Sequence, residues 1–477
     1  MRSSNVPGCS TSFDYDRSVS ELRFLSSADQ FLAGKKLRAD SDRQKLAELS
    51  LAVDRDPIRI LREQNALRLA QLVPVRRARM SESPFAFFRG AAAVMAYDLA
   101  HCPSPGLMAQ ICGDAHLSNF GVFAGRDRDL IFDLNDFDET SIGPFEWDLK
   151  RLTASVVILG KELGLKDAEV RDAAERACCA YRSAMATLTA ASVTERFFAR
   201  IGAKELLRYT VGRSHHAKAS SQKFLREASK NISARVLTKV GVLRNDGTYR
   251  IKEQPPLITR IPEFDKAFAE SIFEQYLRSV PEFIGNILSA MTTQDQVLRV
   301  VGVGSVGTRC GLILLTDADG NALFLQAKEA VSSVLEAYAG SSGWRSHSQR
   351  VVAGQRMLQS TGDPFLGHFD LPDGESYYIR QFRDMKGSVD MGLLADVRAL
   401  AAYSVACATS LARAHAQSGI PGVISGYLGR RPSVHESDRA ITDFAFSYAE
   451  LNRADHQALL RATETDWFQA PEVVRST

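Results

Sequence analysis

The residues whose types and spacing point most clearly to chemistry are Asp114 and Asn119, which have four residues between them in Ile-Cys-Gly-Asp-Ala-His-Leu-Ser-Asn-Phe. An apolar segment leads from this loop to a cluster of three aspartates, Asp133, Asp136 and Asp138. Magnesium-dependent phosphoryl transfer needs such a set: one Asp orients the acceptor hydroxyl, an Asn holds the metal, and a later Asp holds the metal at the phosphates. The pattern predicts Asp114 as the catalytic residue and Asn119 as a magnesium ligand. Asp133 and Asp136 are both candidates for the second ligand.

These residues also have a purely structural interpretation. Asp114 follows a glycine and could stabilise a turn, and the three aspartates could form an exposed acidic turn. However, three carboxylates this close repel one another unless a cation or a basic group neutralises them. The acidic cluster therefore favours a metal site over a turn.

A second candidate site lies far along the chain, in a Gly-x-Gly-x-x-Gly pattern that begins at Gly302. A dinucleotide-binding turn requires a helix directly after the glycines, whereas a β-rich segment follows here. This arrangement favours a strand-loop-strand flap over phosphate groups, although a structural hairpin remains an alternative. The predicted nucleotide-binding residues are Gly302, Gly304, Ser305, Gly307 and Lys328.

Lys328 ends the strand that follows the flap, where a lysine would pair with nucleotide phosphates. Such a residue can also be a solvated strand end. Three residues near it in sequence could orient it: Glu329, Glu336 and Gln355. The sequence leaves this choice open.

The bulk composition limits the class of protein. With 477 residues, the chain is long enough for two or three lobes, and its 45% hydrophobic and 24% charged content is ordinary for a globular protein. A net charge of +3 does not by itself indicate a nucleic-acid partner. Its seven scattered cysteines form neither a zinc motif nor a readable disulfide framework. The composition, together with the lack of a signal sequence or an apolar span, predicts a cytoplasmic protein with no membrane span.

Periodicity predicts a mixed α+β fold. Helices are expected over 57–68, 85–100, 346–359 and 394–418, and residues 145–290 are expected to be mainly helical. Strands are expected at 107–111, 120–123 and 130–132, and then around the flap, at 322–328 and at 376–382.

These residues resemble the protein-kinase-like fold, especially its aminoglycoside and choline phosphotransferase branch. In that branch a His-Gly-Asp-x4-Asn loop precedes an Ile-Asp metal motif, and here Cys112 takes the place of the loop-bracing His. Asp148 resembles the downstream Asp that braces the catalytic loop. Its closeness to Asp136 supports Asp136 as the metal-binding residue, with Asp133 as the second candidate.

The order of the motifs differs from that of a kinase, in which the glycine-rich loop and the lysine precede the catalytic loop. Joining the C-terminal part to the N-terminal part would restore kinase order, so we predict a circularly permuted two-lobed fold. The predicted parts are an N-terminal helical extension (1–80), a helical lobe with the catalytic and metal loops (81–290), a β-rich nucleotide-binding lobe (291–385) and a helical remainder (386–477). Residues 85–90, 113–121 and 135–151 also resemble an uncharacterised bacterial family of unknown function.

The sequence thus predicts an enzyme that uses ATP and Mg²⁺ to phosphorylate an unidentified acceptor. A nucleotide-binding pseudokinase or regulator is one alternative. A metal-dependent hydrolase built on Asp114, His116, Asp133 and Asp136 is another, and transfer of AMP is also open. The kinase interpretation requires Lys328 and Asp136 to converge across a cleft.

Overall fold

The chain folds as a mixture of helices and antiparallel sheets in a computed structural model, which describes residues 21–202, 205–206, 225–255, 257–260, 266–300, 306–382, 385–430, 435–462 and 467. Among these residues, no helix combines the length and the apolar character needed to cross a bilayer. The combination of helices and antiparallel sheets confirms the predicted α+β class.

The helices and strands fall in the following order. The helices are α1 (Ser27–Asp40), α2 (Pro57–Ala66), α3 (Val73–Ser81), α4 (Pro84–Gly90), α5 (Ala92–Ala100), α6 (Phe145–Glu162), α7 (Asp167–Ala190), α8 (Val193–Phe198), α9 (Ser233–Val240), α10 (Lys266–Ser279), α11 (Glu282–Ser289), α12 (Glu336–Ala339), α13 (His347–Leu358), α14 (Val397–Ala416), α15 (Pro421–Leu428) and α16 (Glu436–Arg461). The strands are β1 (Met108–Ile111), β2 (Phe120–Ala124), β3 (Leu130–Leu134), β4 (Ser141–Pro144), β5 (Ile201–Gly202), β6 (Gly241–Leu243), β7 (Tyr249–Ile251), β8 (Ile258–Arg260), β9 (Thr292–Arg299), β10 (Cys310–Thr316), β11 (Ala322–Ala330), β12 (Gly367–Asp370), β13 (Ser376–Gln381) and β14 (Gly387–Ser388).

The helical part of the molecule is organised around α6, which is buried along almost its whole length. Helices α7, α14 and α16 pack around it, and their apolar side chains join those of β1 to β3 in one large core. A fully surrounded helix must satisfy its polar side chains internally. Asp148, on α6, accepts from the backbone of the Cys112–Gly113 turn. Arg151, on the same helix, donates to the Phe88 carbonyl oxygen of α4.

The larger sheet has six strands in the order β12-β13-β11-β10-β9-β8. Strand β11 lies at its centre and places Lys328 opposite Cys310 on one side and Tyr378 on the other. Helices α10 and α11 cover one face, with Tyr276 and Leu288 in the shared core. Because β8, α10 and α11 precede residue 291, this layer begins earlier in the chain than the predicted β-rich lobe.

Two smaller sheets carry the loops of the catalytic motif. Strand β1 pairs with β4, and β2 pairs with β3 in the predicted hairpin. Strand β14 adds to the other edge of β2 through Gly387 and Ser388. The segment that leaves the six-stranded sheet therefore returns directly to the hairpin beside Asn119.

Two sequence expectations differ from the structure. Residues 85–100 form two helices, α4 and α5, because the backbone turns at Ala91 with φ −110° and ψ 34°. The described residues between 145 and 290 are mainly helical, but they also contain the short antiparallel strands β5 to β8. Gly302, Gly304 and Ser305 of the predicted flap lie outside the described residues, while the strands on either side of them, β9 and β10, pair as expected.

Candidate functional site

The Asp114 loop starts where β1 ends and turns sharply at Gly113. This residue has φ +79°, and a Cβ at this position would meet the carbonyl oxygen of Glu139. Glycine is the residue that tolerates both constraints. The turn redirects the chain so that Asp114 faces a cleft between the helical part and the six-stranded sheet.

Asp148 holds this loop from below. Its two carboxylate oxygens accept hydrogen bonds from the backbone N–H groups of Cys112 at 2.8 Å and Gly113 at 2.9 Å. His415, at the end of α14, lies 3.1 Å away through Nε2 and is held on its other side by the Tyr181 hydroxyl at 2.7 Å. The bracing contact that the resemblance implied for Asp148 is present, and a histidine from a distant helix joins it.

Asp114 is a partly buried carboxylate beside a cation. Arg151 donates from Nε to Oδ1 at 2.5 Å, and His116 Nε2 lies 3.6 Å from Oδ2. Burial raises the pKa of Asp114 to about 7, with Arg151 acting in the opposite direction. The side chain remains 21% exposed, on the cleft side. A carboxylate in this state can accept a proton near neutral pH.

Asn119 ties the two motif segments together. Its amide nitrogen donates to the carbonyl oxygens of Asp114 at 3.0 Å and Asp136 at 3.1 Å, and its Oδ1 accepts from the Asp136 N–H at 2.8 Å. These bonds fix Oδ1 beside the Asp136 segment. A carbonyl oxygen accepts two partners, so Oδ1 retains a lone pair for a cation.

Lys328 reaches across the cleft to the acidic cluster. Its Nζ lies 2.5 Å from Asp138 Oδ2 and 3.6 Å from Asp136 Oδ1. Tyr378 donates its hydroxyl to the other oxygen of Asp138 at 2.5 Å. Burial opposes ionisation of Asp138, but Lys328 and Tyr378 outweigh it, so that its pKa lies below the usual range. The convergence that the kinase interpretation required is therefore present.

The three predicted partners of Lys328 bond elsewhere. Glu329 pairs with Arg309 at 3.1 Å, Glu336 accepts from Ser332 at 2.7 Å, and the Gln355 amide nitrogen donates to Gln359 at 3.0 Å. Asp138, 190 residues away in sequence, supplies the bond instead.

The two candidate metal aspartates occupy different environments. Asp136 is 43% exposed and lines the cleft. Asp133 is 1% exposed, and its oxygens accept from the Ser410 hydroxyl at 2.7 Å and the Ser360 N–H at 2.7 Å. Asp133 is thus committed to packing between β3, α13 and α14, and the geometry favours Asp136 as a ligand.

The described residues offer the donor set of a magnesium site rather than that of a protein-made metal cage. They contain no group of three or more His, Cys, Asp or Glu side chains poised around one point. Mg²⁺ is commonly held by one or two protein oxygens together with substrate phosphates and water. The Asp136 carboxylate and Asn119 Oδ1 fit that pattern.

The rest of the cleft, which encloses roughly 1110 Å³ of space continuous with solvent, is lined by both basic and acidic side chains: Arg68, Arg89, Lys386, Glu139 and Glu329. Arg68 and Gly307 lie at the flap, where the Leu69 N–H donates to the Gly307 carbonyl at 2.8 Å. Lys386 lies just before β14, 3.4 Å from the Asn135 carbonyl oxygen. Burial in the cleft, with Arg380 nearby, lowers the pKa of Lys386 to about 7. Arg68, Arg89 and Lys386 are therefore the basic groups of the cleft that a bound anion could contact.

Sequence reasoning missed several of these contributors. Four contributors were not among the predicted site residues: Arg151, Tyr378, Lys386 and His415. Asp138 was noticed as part of the acidic cluster, and the repulsion within that cluster was the available signal that a cation lies beside it.

Comparison with known proteins places most of this site within one family. A family model described as an uncharacterized protein conserved in bacteria (DUF2252) matches residues 68–462. The chain belongs to this family. No curated protein and no solved structure matches it significantly. All the cleft residues discussed above, from Arg68 to Lys386, lie within the matched DUF2252 region, as do Asp148 and His415.

Proposed function

We propose that this DUF2252 protein is an ATP- and Mg²⁺-dependent phosphotransferase with a circularly permuted, protein-kinase-like organisation. The observation that carries the proposal is the position of Lys328, whose Nζ lies 2.5 Å from Asp138 and 3.6 Å from Asp136. A buried lysine on a central strand, facing a carboxylate segment next to an Asp-x4-Asn loop, is the arrangement expected for binding nucleotide phosphates.

Each side chain has a distinct task in this proposal. Lys328 binds the nucleotide phosphates, while Asp138 and Tyr378 keep its ammonium group fixed and charged. Asp136 and Asn119 Oδ1 hold Mg²⁺, which when bound neutralises charge on the phosphates. Asp114 receives the proton of the acceptor hydroxyl, and Arg151 holds its carboxylate in position at 2.5 Å.

The contacts of α14 support the permuted order. This helix follows the six-stranded sheet in sequence and packs against α6, α7, β1 and β3. Its final turn brings His415 within 3.1 Å of Asp148, the residue that holds the Cys112–Gly113 turn. In kinase order, a helix at this position would lead directly into the catalytic loop. Here the connection is made by side-chain contact instead of by the chain.

A nucleotide-binding pseudokinase is the second candidate. One observation favours it: the partner of Lys328 is Asp138 in the metal segment, rather than an acidic residue on α13. The two candidates differ in whether a phosphoryl group is transferred after binding.

The Asp114→Asn variant tests the proposed role of the catalytic residue. We expect it to bind Mg-ATP like the wild type but to transfer phosphate roughly 10²-fold or more slowly, because the proton acceptor is lost. The measurement is transfer from γ-labelled ATP to a panel of sugars, aminoglycosides, choline and protein hydroxyls, with α-labelled ATP run in parallel to detect AMP transfer.

Asp319→Asn is the matched control, because Asp319 is exposed in the β10–β11 turn, away from the cleft. It should transfer phosphate at the wild-type rate. Binding of Mg-ATP by the wild type without transfer to any acceptor would favour the pseudokinase. Undiminished transfer by Asp114→Asn would remove Asp114 from the mechanism.

A further inference from the structure

One wall of the cleft is built from the junction of α4 and α5, away from Lys328. The chain breaks at Ala91, so that α5 begins at the cleft, which Gly90 and Ala92 line. No side chain caps the N-terminus of this nine-residue helix. Its first N–H groups are therefore available to a ligand, and the helix dipole favours an anion there.

Arg89, the penultimate residue of α4, also lines the cleft. Its Nε is buried without a hydrogen-bond partner among the described residues. Asp114 is the acidic group that acts most strongly on it, but the Asp114 carboxylate is already paired with Arg151 at 2.5 Å. Arg89 thus lines the cleft with an Nε–H group that is unpaired among the described residues.

His116 provides a third, independent indication of a ligand. Its side chain is 9% exposed, lines the same cleft, and has an Nδ1 atom with no partner within the described structure. Leaving a buried polar atom unpaired costs about 1–3 kcal/mol, so such atoms are commonly paired in the functional state. The electrostatic influence of Arg89 on His116 places the two side chains near each other.

We propose that this wall, formed by Arg89, His116 and the N-terminus of α5, binds an anionic group on the acceptor substrate. The acceptor would then be a hydroxyl compound that also carries a phosphate or a carboxylate. Binding the anion here would hold the hydroxyl at Asp114. The role of the ligand as an acceptor rests on the proposed phosphotransferase function. Binding of an anion at this wall can be tested without any phosphoryl transfer.

The alternative ligand is a phosphate of the nucleotide. The contacts favour the acceptor, because Arg151 bonds both Asp114 and the Phe88 carbonyl oxygen at 3.0 Å and so joins the end of α4 to the acceptor-orienting residue. Lys328 and Asp136, which mark the nucleotide side, form an ion pair of their own, with Nζ 3.6 Å from Oδ1.

Calorimetric titration of the full-length protein tests the inference with three related compounds: glycerol 3-phosphate, glycerate and glycerol. We expect the phosphate or the carboxylate to bind, and glycerol not to bind. Comparing the affinities for glycerol 3-phosphate and glycerate shows whether the site prefers a phosphate or a carboxylate. In Arg89→Gln, the affinity for the anion should fall roughly tenfold or more. The affinity of Arg89→Lys should lie between those of Arg89→Gln and the wild type, because lysine keeps the charge but lacks the forked donors of arginine.

Arg176→Gln is the matched control, since Arg176 is 62% exposed on α7 and pairs with Asp172 of the same helix. It should bind the anions like the wild type. Absence of anion binding at millimolar concentration, equal binding of glycerol, or unchanged binding by folded Arg89→Gln would each overturn the proposal.

A second titration in the presence of a saturating non-hydrolysable ATP analogue and Mg²⁺ separates this inference from the proposed function. Simultaneous binding is expected, and competition would assign the wall to the nucleotide and overturn the acceptor role. If the anion binds but the analogue does not, the phosphotransferase proposal fails while the anion site remains.

Discussion

At the scale of single residues, the Asp114 loop depends on one buried carboxylate. Asp148 is 1% exposed and accepts from two backbone N–H groups at the Cys112–Gly113 turn. The loop geometry at Asp114 is therefore fixed by a residue that does not reach the cleft.

Replacing Asp148 with alanine should lower the free energy of unfolding by about 3 kcal/mol or more, because two buried N–H groups and His415 lose their partner. Urea denaturation measures this change. Asp148→Asn should be milder, since its amide oxygen can still accept a hydrogen bond.

Asp443→Ala provides the comparison, because Asp443 forms an exposed pair with Arg171 at 2.6 Å. We expect a change below about 1 kcal/mol for this surface pair. Equal losses of unfolding free energy in Asp148→Ala and Asp443→Ala would contradict the special importance of the Asp148 hydrogen bonds.

Residue types alone predicted part of the site. Asp114, Asn119 and Asp136 occur in a short motif, and the structure gathers them around one amide side chain. The partner of Lys328 could not be predicted, because the sequence argument considered its neighbours in the chain and the pairing joins it to Asp138. Such pairs follow from tertiary packing, which local spacing does not encode.

At the scale of helices and strands, the hairpin formed by β2 and β3 was predicted because its apolar runs are short and separated by a turn. The break between α4 and α5 was not predicted, since Ala91 is a good helix former in a continuous apolar run. Packing overrides propensity there, because Gly90 lies against Met80 so closely that a Cβ would overlap its sulfur.

Helix α1 shows the same dependence on close packing. It contacts α15 at glycines, and a Cβ on Gly426 would overlap the carbonyl oxygen of Phe31. Side chains of α1 add bonds, such as that of Arg38 Nε to the Tyr427 carbonyl at 2.9 Å.

Substituting Gly426 with alanine should therefore destabilise the protein by about 1–3 kcal/mol, through overpacking between α1 and α15. Thermal unfolding followed by circular dichroism measures the effect. Gly285→Ala is the control, because a Cβ at this position in α11 has its nearest neighbour 3.8 Å away. That variant should be unchanged or slightly more stable, and a comparable loss in both variants would contradict the packing argument.

At the scale of the whole molecule, the cleft is assembled from segments that lie far apart in the chain. The loop after β1 and the segment after β3 provide the acidic residues Asp114, Asp136 and Asp138. The six-stranded sheet provides Lys328. Strand β14 joins the two parts by pairing with β2 after the chain leaves the sheet. The motif order predicted that Lys328 and Asp136 converge, and the two side chains lie 3.6 Å apart. Neither the pairing of β14 with β2 nor the extent of the sheet, which starts at β8, was visible in the sequence pattern.

The most direct test of a shared magnesium-nucleotide site is calorimetric titration with ATP, with and without Mg²⁺, of the wild type, Asp136→Asn and Lys328→Met. We predict that the wild type binds ATP more tightly with Mg²⁺, that Asp136→Asn loses this dependence, and that Lys328→Met binds Mg-ATP roughly tenfold or more weakly because a charged phosphate contact is lost. The account would be contradicted if the wild type did not bind ATP, or if both folded variants bound it with wild-type affinity and wild-type dependence on magnesium.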